Sequence, residues 1–173
     1  MFLDIHELER RKISLDQMIP VGRIDFGDDV RQVEVLEVHG WAELVAAEIR
    51  LQGNFRTAVE VPCARCLEPT RRAVAMDFDL FYRPIGTISR NEEVEMKGED
   101  LDIGFYHGDG LLLEDAVREQ ILLALPIKSI CRSDCAGLCP QCGQNRNLGP
   151  CGCAPAPADD RWAPLARLKQ DSD

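Results

Sequence analysis

With 173 residues, 45% of them apolar, the chain can bury one hydrophobic core plus a small appendage, and it is neither a fibre nor a disordered tail. Its net charge of −10 repels a phosphate backbone, which argues against unaided, sequence-independent nucleic-acid binding. The opening MFLDIHELERRK carries acids where a signal peptide is apolar, and nowhere do eighteen apolar residues run together, so neither export nor membrane spanning is expected and a cytoplasmic location is.

Residues 33 to 46 place Leu36, Val38, Ala42, Leu44 and Ala46 on one face at period two, which predicts a half-buried strand with His39 at its surface. Residues 48 to 61 alternate again, with Ile49, Leu51, Phe55, Val59 and Val61 inward, so a hairpin turn is expected near Ala46 to Glu48. After the tight CARCLEP, residues 71 to 83 set Val74, Met76, Phe78, Leu80 and Tyr82 against Asp77 and Asp79 on the other side. Three such strands in succession predict an antiparallel meander with one wet face, and Cys63 and Cys66 fall in the turn joining its second strand to its third.

Residues 84 to 100 lack periodicity and read as a solvated acidic loop. A short strand and turn are expected in LDIGFYHGDG. Residues 111 to 125 then carry Leu113, Ala116, Val117, Gln120, Ile121 and Ala124 at helical spacing, with Asp109 or Gly110 as the expected cap and Pro126 as the stop. This stripe predicts the helix that covers the sheet. The segment is also where the acidity concentrates: between residues 91 and 130, ten acids stand against Lys97, Arg118 and Lys128. Beyond the cysteines, a Pro/Ala linker leads to RWAPLARLK, whose Trp162, Leu165 and Leu168 suggest a clasp.

The expected fold class is α+β. An antiparallel β-meander or partly closed barrel, covered by one amphipathic helix, occupies residues 1–130. A cysteine-rich zinc-binding segment follows at 131–153, and the linker and clasp at 154–173.

Eight cysteines in a reducing compartment point to metal before disulfides. They fall into four close pairs: Cys63 with Cys66, Cys131 with Cys135, Cys139 with Cys142, and Cys151 with Cys153. A tetrahedral ion takes two thiolates from each of two short chelating loops, so one or two structural zinc ions are expected. In Cys139-Pro-Gln-Cys142-Gly143 the proline and glycine punctuate a zinc knuckle, whereas Cys63-Ala-Arg-Cys66 has the spacing without that punctuation.

Spacing leaves two groupings open. One joins Cys139, Cys142, Cys151 and Cys153 around one ion and Cys63, Cys66, Cys131 and Cys135 around another; the other pairs Cys63 and Cys66 with Cys139 and Cys142 as a ribbon. A thiol oxidoreductase would need its Cys-x-x-Cys at the start of a helix in a βαβ unit, which neither pair has. A four-thiolate shell also leaves no open position for a catalytic water.

In CARCLEP, EDAVREQILLALP and DCAGLCPQCG the sequence resembles the YceD family of bacteria and plastids, collinearly over most of the chain. The resemblance implies a role in accumulation of large-subunit (23S) ribosomal RNA, through its synthesis, processing or stability, with no enzymatic reaction. It implies a ribosome-assembly partner, protein or rRNA, and neither a membrane nor a small-molecule substrate. Some members keep the first Cys-x-x-Cys and a polar pair after the helix while lacking most tail cysteines, which favours the grouping of Cys63 and Cys66 with Cys131 and Cys135. The ending Asp159-Asp160-Arg161-Trp162 departs from the family's usual DPR stretch.

Direct RNA contact would call on Arg65, Arg71 and Arg72 at the first knuckle; their other reading is a solvated turn in ion pairs with neighbours such as Glu68. If RNA is not touched, the acidic stretch 91–119 suits an adaptor for a basic protein.

Overall fold

The computed structural model describes residues 1–85 and 103–153. Its backbone is dominated by three long strands, β5 (Leu36–Val45), β6 (Glu48–Pro62) and β7 (Pro69–Pro84). The preceding residues supply β1 (Phe2–Asp4), α1 (Ile5–Leu8), β2 (Ile13–Ser14), β3 (Gln17–Ile19) and β4 (Arg31–Gln32). The chain continues through β8 (Ile103–Tyr106), β9 (Gly110–Leu112) and α2 (Leu113–Ala124).

The meander forms as its alternation predicts. Ile49, Leu51, Phe55, Val59 and Val61 are all buried, and on β7 so are Val74, Phe78 and Tyr82; Met76 differs, at 38% exposed. Phe55 and Phe78 stack across the strand pair with ring centroids 6.2 Å apart. The turn between β5 and β6 is the two residues Ala46 and Ala47, both with positive φ (49° and 71°), so Val45 pairs directly with Glu48. That is the type I′ geometry whose twist matches flanking strands.

The sheet has seven strands in the order β2-β5-β6-β7-β8, with β3 also on β5 and β4 on β6. Among the described residues it is open: β2 and β3 lie on one edge and β8 on the other, and no barrel closes. Nor is it wholly antiparallel, because β8 runs parallel to β7, pairing Phe81 with Ile103 through Pro84 with Tyr106. The eighteen residues between Pro84 and Ile103 exceed the dozen or so that a parallel return needs.

Helix α2 lays Leu113, Ala116, Val117 and Ile121 into the same core as the inward faces of β5, β6 and β7. Its start differs from expectation. Leu112 is the cap and offers no side-chain bond, Gly110 sits in β9 opposite Asp4, and the carbonyl of Met1 accepts the amide of Leu113 at 3.0 Å. The β1–β9 pair thus does what a capping side chain would do.

The helix ends at Leu125 before Pro126, and the chain turns back toward the far end of the β6–β7 hairpin, where the Ser129 carbonyl accepts the Ala64 amide at 2.7 Å. This return brings the later cysteines to the earlier ones. Most of the expected acidic loop and all of the clasp lie outside the described residues.

Candidate metal centres

The β6–β7 hairpin tip is a knuckle held by its own backbone. The Cys63 amide donates to the Glu68 carbonyl and the Leu67 amide to the Cys63 carbonyl, both at 2.9 Å, while the Arg65 amide points at the Cys63 sulfur at 3.5 Å. The returning segment adds the Cys131 amide to the same sulfur at 3.4 Å. Cys63 Sγ lies 3.9 Å from Cys135 Sγ, and Cys66 Sγ 3.8 Å from Cys131 Sγ. All eight cysteines are free.

The second knuckle repeats the first. The Cys139 amide donates to the Gln144 carbonyl at 2.8 Å and the Gly143 amide to the Cys139 carbonyl at 2.9 Å. Here the quartet is Cys139, Cys142, Cys151 and Cys153, and in both quartets every sulfur lies within 4.8 Å of the others. Of the two groupings left open by spacing, this is the one the structure forms; Cys63 and Cys66 share no quartet with Cys139 and Cys142.

The spacing fits zinc. With Zn–S bonds of about 2.3 Å, a tetrahedron puts its sulfurs about 3.8 Å apart, whereas a disulfide needs about 2.05 Å. Two sulfur pairs of the first quartet, Cys63 with Cys135 at 3.9 Å and Cys66 with Cys131 at 3.8 Å, match the former. Either quartet would hold one ion in a closed four-thiolate shell.

Electrostatics prepare one thiolate in each knuckle. Amides of Cys131 and Arg65 bring Cys63 down to about 6, and amides of Cys142 and Gln141 do the same for Cys139. Cys135 is lowered chiefly by the side-chain amide of Asn147. The remaining shifts go upward. Burial takes Cys131 to about 12, and the neighbouring Cys142 thiol with burial takes Cys153 to about 12. At Cys66 the Glu68 amide pulls down, but burial and the Cys63 and Cys135 thiols outweigh it.

The three arginines have internal partners. Arg65 donates to the carbonyls of Cys135 at 3.0 Å and Ser133 at 3.4 Å. Arg72 donates to Ser129 Oγ at 3.0 Å and the Ile130 carbonyl at 2.6 Å. Both therefore tie the hairpin tip to the segment bearing Cys131 and Cys135. Arg71 pairs with Glu34, while Glu68 accepts from Asn145 Nδ2 at 3.2 Å. His39 is exposed, its Nδ1 3.0 Å from Asp16 Oδ1.

Two residues that the cysteine pattern does not point to complete the centres, Asn145 and Asn147. Asparagine between cysteines signals a local turn. Nothing in the sequence signals that Asn147 reaches the Cys135 sulfur of the other quartet, or Asn145 the carboxylate of Glu68 beside it.

Residues 51–169 match the family described as Large ribosomal RNA subunit accumulation protein YceD. The chain belongs to the YceD family. An uncharacterised protein of Mycobacterium tuberculosis is 30% identical over 140 residues, covering 80% of this chain and 64% of that protein. A chloroplast protein of Arabidopsis thaliana, named as a YCED homolog for large ribosomal RNA subunit accumulation, is 26% identical over 71% of this chain and 45% of its own length. YlbN of Bacillus subtilis, also uncharacterised, is 22% identical over 98% of this chain and 95% of its own. The chain thus spans under two thirds of the mycobacterial and plant relatives. No solved structure matches it. Among the described residues no helix is long and apolar enough to cross a membrane.

Proposed function

We propose that this YceD-family protein is a non-catalytic ribosome-biogenesis factor, acting in the cytoplasm as a zinc-stabilised binding protein that supports synthesis, processing or stability of 23S rRNA. The family description carries the process. The observation that carries the mode of action is the pair of closed sulfur quartets, which suit an ion that shapes a surface. Metal binding energy then becomes folding energy for residues 131–153, where apolar residues are few.

The partner is argued by charge. A closed four-thiolate zinc site carries roughly two negative charges, so Arg65 and Arg72 beside the first quartet serve first as its counter-charges. Arg71 is then the knuckle arginine with most freedom to meet RNA, since its bond to Glu34 is a surface pair.

The adaptor reading has its own support. A groove of about 400 Å³ between α2 and the β8–β9 region is lined by Phe2, Phe105 and Leu112, with Asp115 and Glu119 beside them, which suits a basic protein segment with apolar side chains.

Depletion in cells tests both readings. Loss of the chain is expected to lower mature 23S rRNA relative to 16S, with rescue by the wild type; unchanged rRNA would overturn the process. Failure of Arg71→Ala to rescue supports RNA contact, and failure of Asp115→Asn with Glu119→Gln supports the adaptor.

A further inference from the structure

Asn147 stands in the loop between Cys142 and Cys151, yet its side chain is spent on the other quartet. Its Oδ1 accepts from the Ala136 amide and from Arg132 Nη2, both at 2.8 Å. Both partners are donors only, so the orientation of the side-chain amide is fixed and its Nδ2 must point the other way. There it donates to Cys135 Sγ at 3.4 Å and to Asn145 Oδ1 at 2.8 Å. Asn145 in turn reaches Glu68, and the Arg146 amide donates to the Gly137 carbonyl at 2.9 Å. One face of the tail loop is therefore docked on the ligand loops of the first quartet.

The eight residues from Gly143 to Pro150 are tied at both ends by the second quartet. An ion there closes the loop and meets the entropy of ordering it, so Asn147 is already in place when the first quartet takes its metal. Bonds from outside the ligand shell that fix a ligand's position govern how tightly metal is held.

We propose that Asn147 is a positioning residue that couples the two centres, so that filling the tail quartet tightens the hold of Cys63, Cys66, Cys131 and Cys135 on their ion. The inference rests on the zinc reading of both quartets and adds to it a direction of control. By linkage the effect is mutual: an ion in the first quartet strengthens binding in the tail. The tail centre is then a regulator of the knuckle at the hairpin tip, and partial loss of zinc loosens both.

The test is withdrawal of zinc from the loaded full chain by a chelator, followed as zinc released. In the wild type the two ions are expected to leave in one cooperative step. In Asn147→Ala they leave in two, the first-quartet ion held about tenfold or more weakly. Cys151→Ser with Cys153→Ser weakens the first quartet by a similar factor, and adding Asn147→Ala to that background changes it by about twofold at most. Independent release in the wild type, or a full Asn147→Ala effect without the tail ion, overturns the coupling alone. A wild type that takes up no zinc overturns the metal reading and this inference together. Should Asn147→Ala lose its β-sheet circular dichroism, Asn147→Asp keeps both acceptor bonds, loses the donors to the Cys135 sulfur and to Asn145 Oδ1, and carries the same expectations.

Discussion

Leu67 and Gly143 hold the same backbone position in two knuckles: each follows the second cysteine of a Cys-x-x-Cys pair, each is left-handed (φ 62° and 71°), and each donates its amide to the first cysteine's carbonyl at 2.9 Å. Glycine takes this conformation freely; a leucine adopts it at a cost of about 1–2 kcal/mol. We predict that Leu67→Gly is nearly neutral, because relief of that strain is offset by about 0.5–1 kcal/mol of added unfolded-state freedom, and Leu67 buries little. The reverse change, Gly143→Leu, should weaken tail zinc by about fivefold or more, the equivalent of about 1 kcal/mol. Urea unfolding checks the first and chelator competition the second; a large loss in Leu67→Gly would show that the two knuckles differ.

The β5–β6 turn makes the same point about alanine. Ala46 and Ala47 both have positive φ, where Asn-Gly is the preferred pair. The double change Ala46→Asn with Ala47→Gly should raise unfolding free energy by about 1 kcal/mol, seen as a higher urea midpoint at unchanged slope. A lower midpoint would contradict the turn.

Arg72 and Arg71 are neighbours with different work. Arg72→Ala removes two bonds that tie the hairpin to Ser129 and Ile130, and should cost about 1.5–3 kcal/mol in urea unfolding. Arg71→Ala removes only an exposed pair with Glu34 and should cost well under about 1 kcal/mol. Equal costs would contradict this division.

These arginines show where reading a sequence stops. The meander was legible because one face of each strand is continuously covered, which writes itself as period two from Leu36 to Tyr82, and α2 because its stripe faces the same core. The cysteine pairs were legible because chelation by a short loop fixes their spacing. The strands β1 to β4 are only two or three residues long, too short to show a period, and their places depend on partners far along the chain. Gly110 looked like a cap but serves as a strand residue because β1 reaches it. The destination of Arg65 and Arg72, and of Asn147, is set by the return of the chain after α2, which no local pattern encodes.

Protons should compete with the metal, in a direction set by the thiols. Cys66 is raised and Cys131 is pushed up to about 12, so at neutral pH both hold protons that an ion must displace. Cys63, at about 6, is already largely thiolate there and adds dependence only near and below that pH. Affinity at the first quartet therefore rises with pH and falls on acidification, by about tenfold for each displaced proton, so that Cys66 and Cys131 alone give about a hundredfold between pH 8 and pH 7. Chelator competition at the two pH values, with the chelator's own titration subtracted, checks this; a flat response would contradict it.

Native mass spectrometry of the reduced full chain tests the central claim most directly. Two zinc ions per chain are expected, falling to one in Cys63→Ser with Cys66→Ser and to one in Cys151→Ser with Cys153→Ser. The bare chain mass, or a single ion per wild-type chain under conditions where the fold persists, would contradict two separate thiolate centres.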